Sequence, residues 1–125
     1  MTSNEQVVND FIDAWRRLDL AAMKSLFTED CVYHNMPWPV VKGRAEVLDL
    51  IAGFFKNLNM TGADFKVTHQ LSSGNLVMNE RVDHLTVNGK TVLRPVAGIF
   101  ELEGGKIKAW RDYFDAATFD KGIAA

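Results

Sequence analysis

A chain of 125 residues is long enough for one domain with a real core and too short for two. Its 47% apolar and 24% charged residues are the balance of a soluble globular protein, and a formal charge of −2 leaves no basic footprint for nucleic acid. No apolar run approaches a membrane span, the start MTSNEQVVND shows no secretory signal, and the lone Cys31 excludes an internal disulfide and fits a reducing cytoplasm.

Ser3 and Gln6 have the spacing of a capping box. Val7, Val8, Phe11, Ile12, Trp15 and Leu18 follow with helical period, predicting an amphipathic helix to about residue 18. Asp19 can cap a short second helix that turns Leu20, Met23, Leu26 and Phe27 inward. Residues 31–36 read as a short strand stopped by Pro37 and Pro39. A third helix is expected over 44–58, with Val47, Leu48, Ile51, Phe54 and Phe55 on its buried side. Residues 65–71, 76–87, 91–102 and 106–114 then read as strands. Their punctuation is Ser72-Ser73-Gly74-Asn75, the hairpin signal Asn88-Gly89, and Glu103-Gly104-Gly105. Asp115 can cap a last short helix. Helices first and strands after predict one α+β domain over 1–125, with a curved, mostly antiparallel sheet wrapped around N-terminal helices and a pocket between them.

Strand alternation sorts the polar residues. In 106–114, Lys106, Lys108, Trp110, Asp112 and Phe114 fall on one side, which sets Asp112 between two large aromatics. A carboxylate there is costly unless it is paired, hydrogen-bonded or protonated. In 76–87, Val77, Asn79, Arg81, Asp83, Leu85 and Val87 share a side; in 31–36, Cys31, Tyr33 and Asn35 do. If these faces line one cavity, the polar inventory is Tyr33, Asn35, Arg81, Asp83 and Asp112. An arginine fork can bridge two carboxylates, and two neighbouring carboxyl groups can hold opposite protonation states. Tyr and Asn can fix a water without adding charge. A bland reading fits the same residues: an Arg–Asp pair on a solvated strand, a Tyr packing its ring, an Asn ending a strand. His34, His69 and His84 lie on different segments, and no metal site is implied.

Together YHNMP (33–37), ERVDHL (80–85) and GIFELEGGKIKAWRDYFD (98–115) resemble the limonene-1,2-epoxide hydrolase family. That family lies in the cone-shaped α+β superfamily of ketosteroid isomerases, polyketide cyclases and the nuclear transport factor two fold. The resemblance implies a conical, cystatin-like α+β barrel. Carried over residue by residue, it implies that Asp112 takes a proton from an attacking water held by Tyr33 and Asn35. Asp83 would protonate the epoxide oxygen, and Arg81 would bridge the carboxylates. It further implies one-step hydrolysis of an epoxide to a vicinal diol, without metal, cofactor or ester intermediate, in a homodimer. Met36, Leu58, Val96, Trp110 and Phe114 are expected on the pocket wall, and Leu93, Pro95, Ala97 and Ile99 on a dimer face.

Arg94 departs from this pattern, because its alternation partners Val92, Val96 and Phe100 are apolar. It is expected either at the rim or as the sign of a more polar epoxide, and Pro95 beside it argues for an edge or bulge. Two rivals remain: an isomerase or cyclase on the same fold using Asp112 or Asp83 as a base, and a non-catalytic module for hydrophobic ligands. A buried Asp–Arg–Asp set favours the hydrolase, since an isomerase would want neutral donors and a binder has little use for the charges.

Overall fold

The computed structural model describes residues 3–125. Two helices, α1 (Ser3–Arg16) and α2 (Leu20–Leu26), lead into strand β1 (Phe27–Met36), a short β2 (Val41–Lys42) and helix α3 (Arg44–Asn57). Strands β3 (Met60–Ser73), β4 (Leu76–Val87), β5 (Lys90–Glu103) and β6 (Lys106–Phe114) follow, then helix α4 (Ala116–Ala124). The six strands form one open sheet in the order β2-β1-β6-β5-β4-β3. Every neighbouring pair is antiparallel except β1 with β6, which run parallel. This is the α+β arrangement that helices followed by strands predict. Bulges in β3 between Met60 and Gly62 and between Val67 and His69 add twist to a sheet that curls over the helices.

Several local expectations shift. Ser3 is already helical, and the Gln6 amide donates to Asp10 Oδ1 at 2.8 Å, one turn ahead, rather than reaching back to close a capping box. Phe27 opens β1 instead of closing α2, and the strand runs longer than 31–36 because its first residues pair near Ile107. Lys106 and Lys108 do not share the side of Asp112. Glu101 pairs with Ala109 and Leu102 with Ile107, so a bulge at Lys108 resets the alternation and leaves both lysines exposed. Asp19 and Asp115 cap α2 and α4 through their carboxylates, as expected.

The core forms where the helices meet the concave face of the sheet. Phe11 of α1 meets Phe27, Phe100 and Trp110 edge to face, with centroids 4.9–6.2 Å apart. Trp110 itself lies flat between Tyr33, 4.1 Å away, and Phe100, 5.7 Å away. β4 and β5 each alternate cleanly between buried and outward positions along most of their length. The inward set of β4 is Val77, Asn79, Arg81, Asp83, Leu85 and Val87. That alternation carries three polar side chains into the interior, which needs an explanation.

Candidate active site

Four strands contribute to one buried polar cluster. Asn35 comes from β1, Asn79, Arg81 and Asp83 from β4, Arg94 from β5 and Asp112 from β6. Register brings them together: Arg94 sits opposite Asp83, Asn35 opposite Asp112, and Gly98 stands between Asn79 and Asp112. Asp83 and Asp112 have no exposed area at all.

Arg81 lies at the centre. Its Nε donates to Asp83 Oδ1 at 2.8 Å, its Nη2 to Asp112 Oδ2 at 2.6 Å and Asp83 Oδ2 at 3.3 Å, and its Nη1 to Asn79 Oδ1 at 3.0 Å. Asn79 donates in turn to Gln70 Oε1 at 3.2 Å. The other Asp112 oxygen accepts from the Trp110 indole at 2.7 Å. Arg94 adds a second bridge, from Nη2 to Asp83 Oδ2 at 2.6 Å and Asp112 Oδ2 at 3.0 Å, with Nε 3.2 Å from Asp83 Oδ2. Two guanidiniums thus face two carboxyl groups, and the formal charge of the four groups is zero with both carboxyls ionised and +1 when one of them holds a proton. Each guanidinium also covers a ring, Arg81 over Phe65 at 4.8 Å and Arg94 over Phe114 at 4.6 Å.

Removing four charges from water is unfavourable, and only complete pairing makes it tolerable. Among the described residues, Trp15 Nε1 and Thr28 Oγ1 are the buried side-chain atoms without a hydrogen-bond partner, and neither belongs to the cluster. Burial pulls the Arg81 and Arg94 guanidiniums toward losing their protons. Asp112 and Asp83 outweigh that pull and hold both above the ordinary arginine range. Burial, reinforced by Asp112, pushes the Tyr33 phenol up, while Arg94, Arg81 and a hydrogen bond with Asn35 act against it. Tyr33 is therefore neutral across the physiological range.

Beside the cluster lies a cavity of about 410 Å³ between the sheet, α3 and α4. Tyr33, Asn35 and Arg94 supply its polar inner wall, and Trp15, Leu50, Phe54, Leu58, Met60, Phe65 and Leu85 much of its apolar one. The profile of the limonene-1,2-epoxide hydrolase catalytic domain matches residues 2–124. The chain belongs to the limonene-1,2-epoxide hydrolase family. It is 30% identical over 122 residues to the epoxide hydrolase EphG of Mycobacterium tuberculosis, an alignment covering 93% of this chain and 76% of that protein. The structure of an M. tuberculosis LEH-like epoxide hydrolase superposes with a TM-score of 0.85 at 27% identity, over 98% of this chain and 90% of that one. An NTF2-like protein of unknown function from Burkholderia pseudomallei superposes at 0.87 with 19% identity over the full length of both, and shows the fold alone.

Within this limonene-1,2-epoxide hydrolase family member, the structure brings Tyr33, Asn35, Arg81, Asp83 and Asp112 into one place. Of the expected wall residues, only Leu58 lines the cavity. Trp110 lies beneath it, bonding Asp112 and stacking on Tyr33, and Phe114 backs the Arg94 guanidinium. Val96 is buried outside the lining, and Met36 points away because Asn35 beside it points in. Arg94 is not at the rim: it is 7% exposed and bound to both carboxylates. Pro95 is tolerated within an internal strand because pairing of β5 with β6 begins only at Val96.

Gly98 is a further site residue, one that strand alternation alone does not single out. A Cβ there would fall on Arg81 Nη1, 2.9 Å from Asp112 Oδ1 and 3.2 Å from Asn79 Oδ1. The missing side chain is what lets charges from β4 and β6 meet across β5. The signal in the sequence is a glycine inside a strand pattern, on the inward side between Val96 and Phe100.

Proposed function

We propose that this chain adds water to a small, largely apolar epoxide to give a vicinal diol in one push–pull step. Asp112 is the base, Tyr33 and Asn35 hold the attacking water beside it, Asp83 protonates the departing ring oxygen, and Arg81 ties the two carboxyl groups together. The observation that carries this reading is the fully buried Asp83–Arg81–Asp112 bridge, 2.8 and 2.6 Å on its two sides, next to a cavity walled by Tyr33 and Asn35. A base and an acid held at fixed separation suit a strained ring, which needs a proton on oxygen while a nucleophile attacks carbon. Kinship with an epoxide hydrolase supports the same chemistry. The protein acts in the cytoplasm as a homodimer, paired through the outer face of β5 and its neighbours.

Single-turnover hydrolysis of an epoxide panel in ¹⁸O-labelled water tests the reading. Label in the first diol formed is expected. Unlabelled oxygen from the enzyme would mean a carboxylate ester instead, and no turnover of any epoxide would return the fold's isomerase, cyclase and binding roles to the front.

A further inference from the structure

Arg94 is the only charged member of the cluster that reaches the cavity. Asp83 and Asp112 are wholly enclosed and do not line it. A ring oxygen entering from the cavity therefore meets the Arg94 guanidinium before either carboxyl group. The hydrogens on Nε and Nη2 are committed to Asp83 and Asp112. Nη1 has only one long contact, 3.5 Å to Asn35 Oδ1, and so keeps donor capacity. Phe114 against its face and Asp83 across the ladder hold the group in place. The remaining charges on the cavity wall, Asp49 and Asp120, are exposed carboxylates that would repel an anionic substrate. Arg94 is thus better suited to a neutral molecule that becomes negative during reaction than to one that arrives negative.

We infer that Arg94 is a further catalytic residue, whose Nη1 donates a hydrogen bond to the epoxide oxygen and stabilises the alkoxide as the ring opens. This rests on the hydrolase reading above. In the step, the water oxygen bonds to a ring carbon and gives a proton to Asp112. The ring carbon–oxygen bond breaks with its electron pair on oxygen, which takes a proton from Asp83. Arg94 keeps its proton throughout, and return of the proton from Asp112 to Asp83 through solvent resets the site. A donor fixed where charge develops, in a site shielded from water, acts without reorganising.

The test compares wild type with Arg94→Leu and Arg94→Lys on 1,2-epoxybutane, epichlorohydrin and 3,3,3-trifluoro-1,2-epoxypropane, epoxides of similar size whose alkoxides are progressively more stable. Arg94→Leu is expected to lower kcat on epoxybutane by about 100- to 1,000-fold with little change in KM. The loss should shrink steadily toward the trifluoro compound, whose alkoxide needs the donor least. An equal loss on all three is what a purely structural role would give, and it overturns the inference, as does no loss. If circular dichroism shows that the Leu variant does not fold, Arg94→Lys decides: it keeps a cation beside Asp83 but has no counterpart of Nη1. The same graded loss supports the inference, and wild-type rates or a uniform loss overturn it. Wild type inactive on all three overturns the hydrolase reading itself, whereas active wild type with undiminished variants overturns this inference alone.

Discussion

Asp112 has Trp110 Nε1 on one oxygen and two guanidiniums on the other. Asn at this position keeps the shape and one acceptor but cannot take a proton from water. Asp112→Asn should reduce single-turnover hydrolysis by about 100- to 10,000-fold while leaving the circular dichroism spectrum unchanged. Cys31 shows the opposite use of burial. Its thiol is fully enclosed, and burial pushes it from 9.0 up to about 11, against the opposing pull of the Arg44 charge. Because the folded value is raised, the neutral thiol contributes its full share of stability below pH 9, and that share is lost as pH rises through about 11. Native protein at pH 8 should therefore resist iodoacetamide while urea-unfolded protein reacts, as mass spectrometry would show. Arg81, Asp83 and Asp112 were legible in the sequence because period-two alternation put them among apolar neighbours. Arg94 was legible only as a misfit, since alternation gives a side but not what stands across the ladder.

At the scale of elements, the site depends on where strands leave room as much as on what they present. Gly98→Ala places a methyl against Arg81 Nη1 and Asp112 Oδ1. Neither can retreat without breaking a buried charge pair. The substitution should cost about 1–3 kcal/mol in thermal or urea unfolding and depress turnover as well, although residue 98 touches no substrate. The bulge at Lys108 is a related device: it turns Ile107 inward and still delivers Trp110 and Asp112 to the interior. The bulge is not readable from the chain, because it is set by pairing between strands and leaves strand composition unchanged. Helix caps are local, which is why Asp19 and Asp115 could be read from the chain itself.

For the whole molecule, the outer face of the sheet carries several exposed apolar side chains. Leu71 is 75% exposed, Met78 48% and Leu93 51%, and register aligns Leu71 with Met78 and Met78 with Ile99. This ridge is broader than the β5 stretch expected from sequence. On the proposed homodimer, sedimentation should give a dimer, and Met78→Glu should shift it toward monomer by adding charge to an apolar paired face. The parallel contact of β1 with β6 has a different bearing. It sets Asn35, near the start of the chain, against Asp112, near its end, with Arg81, Asp83 and Arg94 drawn from between. Such distant pairings carry a high loop-closure cost, which slows folding. On the proposed mechanism, a chain truncated before β6 would carry Asn35, Arg81, Asp83 and Arg94 without the Asp112 base, and it is expected to be inert.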